Sequence, residues 1–204
     1  MCIRDSSFPR LLMCVLAFVA NQATAAVPPA PKLPADAYFL MDATTGQVLV
    51  DHNGDLSLPP ASLTKIMTSY VLAEEVDAGR ASPDDMIKVS RNAWSQNPTF
   101  KGSSLMWIEP GKPVSLADLE RGVVISSGND ASVAVAEHLA GTESSFVDMM
   151  NQLAAELGLD NTVYRNPHGL PHPEHRTTAR DLATLSVALI NGHPEHYKIY
   201  KEQS

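Results

Sequence analysis

The stretch Pro59-Pro60-Ala61-Ser62-Leu63-Thr64-Lys65-Ile66-Met67-Thr68-Ser69-Tyr70-Val71 contains a helix start and, within it, a hydroxyl and an amine one turn apart. Proline cannot carry a helix in from upstream but is tolerated just before one. From Leu63 onward, Ile66, Met67, Tyr70 and Val71 recur at the i, i+3, i+4, i+7, i+8 spacing of an amphipathic helix. The spacing predicts a helix that opens with Ser62 and ends near Gly79. Residues three apart on a helix share a face, so Ser62 and Lys65 come within reach of each other. A lysine can take the serine proton only when it is itself neutral, which needs a dry site or nearby positive charge. The free N–H groups of a helix N-terminus can bind the oxyanion that then forms.

Upstream, Ala37 to Asp42 and Gln47 to Asp51 are β-rich runs flanking Ala43-Thr44-Thr45-Gly46, a hairpin whose glycine supplies the positive φ of the turn. Residues 26–36 hold Pro28, Pro29, Pro31 and Pro34 and form an extended lead-in that cannot be helical. Before it, Arg10 is followed by the apolar run Leu11 to Ala20 and by Ala23-Thr24-Ala25, the small-x-small pattern of a signal peptidase site. The run is about ten residues, against the roughly twenty that a membrane-spanning helix requires. Residues 1–25 are therefore expected to be a removed signal peptide. Asp5 makes its first residues a poor basic start, and no function is assigned to residues 1–9.

Downstream, Ser115 and Asp118 form a capping pattern ahead of Leu116 and Leu119, and Asp130 to Leu139 is a helical run ending at Gly141. Phe146, Met149, Met150, Leu153 and Leu157 make another apolar stripe up to Gly158, and Thr178 with Asp181 caps a last helix through Ile190. The tail from Asn191 to Ser204 shows no apolar periodicity. The expected fold is α/β, with a leading hairpin and a largely helical remainder over residues 37–204.

With 44% apolar and 19% charged residues, the chain is neither disordered nor a multi-span membrane protein. Both cysteines, Cys2 and Cys14, lie in the signal segment, so the mature chain has no thiol, disulfide or cysteine metal site. The net charge is −8, and removal of Arg4, Arg10 and Asp5 with the signal leaves 13 basic and 22 acidic residues, a charge of −9. An acidic surface disfavours nucleic acid and anionic lipid as partners. His168, His172 and His175 are spaced by Pro171 and Pro173 and are expected to be exposed loop histidines; no metal and no cofactor is assigned.

With 18 serines and 7 lysines in 204 positions, chance gives about 0.6 occurrences of S-x-x-K, so context has to decide. A helix-capping serine with a surface lysine one turn on is the structural alternative. Ser127-Gly128-Asn129 supplies the context: a hydroxyl able to relay protons and an amide able to hold a carbonyl, after the apolar Val123-Val124-Ile125 and before a helix. Ser90-Arg91-Asn92 and Ser95-Gln96-Asn97 share the S-x-N pattern but read as polar loop without apolar support.

These two motifs in this order, with Pro60 to Thr68, Phe100-Lys101-Gly102-Ser103-Ser104-Leu105-Met106, Ser127-Gly128-Asn129-Asp130-Ala131 and His168-Gly169-Leu170, resemble the D-alanyl-D-alanine carboxypeptidases, the low-molecular-mass penicillin-binding proteins. The resemblance runs from about Ala35 to Ser204. It implies a β-lactamase/transpeptidase-like fold, with Ser62 as the acylated nucleophile, Lys65 as its base and Ser127 relaying a proton to the leaving D-alanine. It further implies that Asn129 and Gly128 meet the substrate amide, and that Gly102, Ser103 and His168 border the site. Peptidoglycan pentapeptides and β-lactam antibiotics are the implied partners. The implied location is the periplasm, at the outer face of the inner membrane, with membrane contact only through a C-terminal part. The family's third motif, K-T-G, does not occur in this sequence, so the expectation is a fragment truncated before the remaining sheet strands and inactive alone. A class A β-lactamase would want S-D-N where this chain has Ser127-Gly128-Asn129; a penicillin sensor without turnover remains as a binding alternative.

Overall fold

The computed structural model describes residues 29–202. The expected signal peptide over 1–25, with both cysteines, and residues 26–28 lie outside the described residues. The chain divides into two units, Met1–Lys32 and Leu33–Ser204. The architecture belongs to the second.

Strands β1 (Tyr38–Met41) and β2 (Val48–His52) form the expected antiparallel hairpin, pairing Tyr38 with His52 and Leu40 with Val50, with a bulge between Leu40 and Met41. Its turn is built by Asp42, whose Oδ1 accepts from the backbone N–H groups of Thr44 and Thr45 at 3.0 and 2.7 Å, and by Gly46 at φ +72°. After a 3-10 turn over Ala61–Leu63 comes α1 (Thr64–Asp77), then β3 (Met86–Lys88), β4 (Pro113–Ser115), α2 (Leu116–Val124), α3 (Asn129–Ala140), α4 (Glu143–Glu156), α5 (Ala179–Gly192) and the short α6 (Pro194–Tyr197).

Helix α1 is the axis of the domain. The spacing predicts an amphipathic helix, but Thr64, Lys65, Thr68 and Ser69 are buried along with Met67, Tyr70, Val71 and Leu72, so nearly every face is covered. Its polar residues turn inward because each, Ser69 excepted, finds a partner there. Leu63, expected on the apolar stripe, is instead 52% exposed in the 3-10 turn. Around α1 pack α2, α3 and α4, contributing Leu116, Leu119, Val123, Val133, Val135, Phe146 and Met150 to one core.

The caps fall where the sequence places them. Ser115 accepts from Asp118 N at 3.1 Å, Thr178 accepts from Asp181 N at 3.1 Å, and Gly141 closes α3 at φ +78°. The hairpin lies on α5: the Arg180 guanidinium pairs with Asp51 and Asp55 and sits 4.5 Å from the Phe39 ring centroid.

The structure adds two features to the expected fold and corrects one reading. Strands β3 and β4 form a second antiparallel pair that the sequence did not show, each being three residues long. The segment carrying Ser90 and Ser95 is not an unsupported polar loop, since Val89, Ala93, Ser95, Phe100 and Ile108 are buried in it. The tail after Asn191 is folded, as α6 and a 3-10 turn over Lys198–Lys201, through contacts of His193 and His196 with carboxylates rather than through an apolar stripe.

Candidate active site

Ser62 sits on the 3-10 turn, exposed, and Lys65 on the first turn of α1, 4% exposed. Lys65 Nζ donates to Asn129 Oδ1 at 2.7 Å and to the backbone carbonyl of His168 at 2.8 Å. Two neutral acceptors hold the amine without neutralising it, so its burial is not offset by an adjacent carboxylate. Burial accordingly lowers the Lys65 pKa to about 8, against an opposing pull from Asp130. Roughly one molecule in ten then carries a neutral amine at pH 7. Among the described residues Ser62 shows no hydrogen bond to Lys65, and such contacts often tighten only once substrate is bound.

The turn between α2 and α3 places Ser127 and Asn129. Ser127 has φ +51°, a left-handed conformation that a non-glycine residue adopts at a cost of about 1–3 kcal/mol. Ser62, Lys65, Ile66, Val124, Ser127 and Tyr200 line one small cavity of about 90 Å³. Ala61, the residue before Ser62, is also left-handed at φ +48°. Two of the four non-glycine residues with positive φ among the described residues thus belong to this corner.

The turn is held from behind. Gly128 is buried, and a Cβ there would lie 3.0 Å from both Asp130 Oδ1 and Met106 N, so close packing favours glycine at this position. Asp130, fully buried, accepts from the backbone N–H groups of Met106 at 2.8 Å, Ile108 at 3.1 Å and Ala131 at 2.9 Å. Asn129 N donates to Ser104 O at 2.9 Å. The segment from Phe100 to Ile108 is thereby tied to the turn. Gly102 and Ser103 lie on it and line a neighbouring groove with Asn97, Leu105 and Trp107, apart from the Ser62 cavity.

His168 and His175 are 6% and 2% exposed, which corrects the expectation of exposed histidines; of the three, His172 is exposed. Their burial comes from packing of the 163–177 loop against α1, a contact roughly a hundred residues apart in sequence that no local pattern reveals. Burial and the neighbouring Lys65 push the His168 pKa down to about 3, so its ring is neutral. That ring packs edge-on against Phe100, while its backbone carbonyl holds Lys65. The motifs contain Asp130 and Thr64 but give them no role, His175 reads in the sequence as an exposed loop histidine, and Tyr200 carries no local signal.

The residues the sequence singles out fall into two groups: Ser62, Lys65 and Ser127 share one cavity, where Lys65 bonds Asn129 and the His168 carbonyl, and Gly102 with Ser103 lies on a separate groove. Comparison with known proteins places the chain in a family. The chain is 47% identical over 193 residues to the D-alanyl-D-alanine carboxypeptidase DacC of Escherichia coli, a match covering 94% of this chain and 47% of that protein. It superposes on penicillin binding protein 6B from Escherichia coli with a TM-score of 0.83 and 47% identity, over 86% of this chain and 56% of that one. Penicillin-Binding Protein D2 from Listeria monocytogenes in its cefotaxime-bound form matches with a TM-score of 0.72 and 31% identity, over 82% and 66% of the two chains. The chain spans about half the length of the curated relatives it matches. The D-alanyl-D-alanine carboxypeptidase family model covers residues 21–204, and the chain belongs to that family.

Proposed function

We propose that the chain carries the acylating half of a serine-type D-alanyl-D-alanine carboxypeptidase site. The observation that supports it most is Lys65: a buried amine held by two neutral acceptors, with a pKa lowered to about 8, in one cavity with two serine side chains. In this reading neutral Lys65 takes the Ser62 proton as Oγ attacks the carbonyl of the penultimate D-alanine. The tetrahedral intermediate collapses with cleavage of the peptide bond, and Ser127 passes a proton to the departing terminal D-alanine amine. Water then hydrolyses the acyl-serine ester. In this reading Asn129 anchors the substrate amide, Gly128 is among the substrate-binding residues, and Gly102, Ser103 and His168 border the site.

A β-lactam would acylate Ser62 by the same attack, the opened ring remaining tethered as an ester; the cefotaxime-bound relative supports this. Peptidoglycan pentapeptides are the proposed substrates, in the periplasm, reached through the signal segment. Among the described residues no helix is long and apolar enough to cross a membrane.

The test is labelling with a fluorescent penicillin followed by intact mass, on this chain and on an extended protein in which it is continued by the remaining sequence of its Escherichia coli relative. An adduct on the extended protein that disappears with Ser62→Ala supports the reading. A folded extended protein that forms no adduct overturns it.

A further inference from the structure

The 163–177 loop does more than bury two histidines. It is closed by paired backbone hydrogen bonds between Val163 and Arg176, at 2.8 and 3.0 Å, and its end is bonded both ways to Leu58, at 2.9 Å each, just ahead of Ser62. Three of its groups then meet the start of α1. The Pro167 carbonyl accepts from Thr68 Oγ1 at 2.6 Å, and the His168 carbonyl accepts from Lys65. Gly169 lies so close to Ala61 that a Cβ would stand 1.9 Å from the Ala61 carbonyl oxygen.

The remaining contact is the His175 side chain, whose Nε2 lies 2.8 Å from Thr64 Oγ1. Its Nδ1 accepts from the backbone N–H of Arg165 at 3.2 Å, so the ring proton is on Nε2 and His175 donates to Thr64. Burial, reinforced by His172, Arg165 and Arg176, lowers the His175 pKa to about 4, which keeps the ring neutral at neutral pH, and the Arg165 N–H selects the tautomer. Thr64 is fully buried and lies between Ser62 and Lys65 in sequence. The left-handed Ala61 persists only if its surroundings over-determine it. Gly169 beneath it, Leu58 bonded to Thr177 upstream and Thr64 downstream are those surroundings.

We propose that His175 is a positioning residue: through its Nε2–H bond to Thr64 it fixes the strained turn at Ala61 and so sets Ser62 Oγ against Lys65 Nζ. The inference rests on Ser62 and Lys65 acting as nucleophile and base, and its test separates the two claims. His175→Phe keeps an aromatic edge against Tyr164, which packs on His175 at 5.7 Å, and removes the donor. His175→Gln keeps an amide N–H near the place of Nε2. Thr64→Val removes the acceptor.

In the extended protein, penicillin acylation is split into the binding constant and the first-order acylation rate, with thermal melts in parallel. Misplacement of a nucleophile by about an ångström costs up to roughly 100-fold in rate. His175→Phe and Thr64→Val are each expected to lower the acylation rate roughly 10- to 100-fold while binding changes less than about twofold. The double variant is expected to be no slower than the slower single one, and His175→Gln to recover most of the rate. Histidine ¹⁵N shifts are expected to show the Nε2–H tautomer.

An Nδ1–H tautomer, multiplicative losses in the double variant, a His175→Gln as slow as His175→Phe, or an unchanged rate in folded His175→Phe overturns the inference. If His175→Phe does not fold, Thr64→Val and His175→Gln decide: a slow Thr64→Val with a near-normal His175→Gln supports the bond, and an undiminished Thr64→Val overturns it. An extended protein with His175 and Thr64 intact that is never acylated overturns the acyl-serine reading first and this inference with it.

Discussion

At the scale of the residue, the central fact is a lysine with no carboxylate bonded to it. Lys65 is held by an amide oxygen and a peptide oxygen, so burial lowers its pKa to about 8, and only the neutral amine can accept the Ser62 proton. Penicillin acylation of the extended protein is therefore expected to rise with pH and reach half its plateau near about 8. His168, with a pKa of about 3, does not titrate in this range and leaves the Lys65 inflection alone. Lys65→Ala is expected to lower the rate roughly 100-fold or more. Lys65→Arg should be no better, since a guanidinium stays protonated and cannot act as base. Rate against pH between 6 and 10 checks this; a flat profile, or a Lys65→Arg that acylates normally, would remove Lys65 from the base's role.

At the scale of the element, two close fits join loops to helices. Asp130 takes three backbone N–H groups, and replacing it by alanine strands them in a buried place at about 1–3 kcal/mol each before relaxation. Asp130→Ala is expected to lower the denaturation midpoint by an amount equivalent to about 3 kcal/mol and to expose the 100–108 segment to proteolysis; an unchanged midpoint with intact protease resistance would count against that anchoring. Gly169→Ala meets backbone rather than a yielding side chain, at φ +89°, and is expected to cost about 3 kcal/mol or more and to depress acylation along with it. A Gly169→Ala protein of parental stability would show that the loop lies further from Ala61.

The same elements show what was legible in the sequence. Helix α1 announces itself because it runs 14 residues with strong apolar spacing behind two prolines, and α2 and α5 because Ser115 and Thr178 cap them. Ser62, Lys65, Ser127 and Asn129 were legible because each sits in a short motif at a helix start. Strands β3 and β4 were not, since three residues carry no period. The burial of His168 and His175 was not either, because a distant helix covers them. Nor was the setting of the 89–108 segment, which is held by Asp130, Glu137 and Glu143 through hydrogen bonds from Met106, Ile108 and Asn92.

At the scale of the whole molecule, the segment after α5 closes the domain and brings Tyr200 to the Ser62 cavity. Its attachment is electrostatic. His193 lies between Asp77 Oδ2 at 2.6 Å and Glu74 Oε1 at 3.1 Å, and His196 between Glu120 Oε1 at 2.6 Å and Asp77 Oδ1 at 3.8 Å. His196, with a carboxylate near each ring nitrogen, is best served by its doubly protonated form. The bond to Glu120 accordingly raises the His196 pKa, with Asp77 and Glu195 adding to the pull. A histidine raised on folding contributes stability that is fully present below its unfolded pKa of about 6.5 and is lost as pH climbs through the folded value. Lys65 has the opposite sign: its folded pKa of about 8 lies below the ordinary lysine value of 10.5, so its contribution grows as pH rises between them. Thermal melts from pH 6 to 10 should therefore fall first and recover later. His196→Gln is expected to flatten the fall, and Lys65→Met the recovery. Fluorescence of the tyrosines should track the first phase if release of the tail carries Tyr200 out of the cavity; a melt that falls equally in His196→Gln would place the pH-sensitive contact elsewhere.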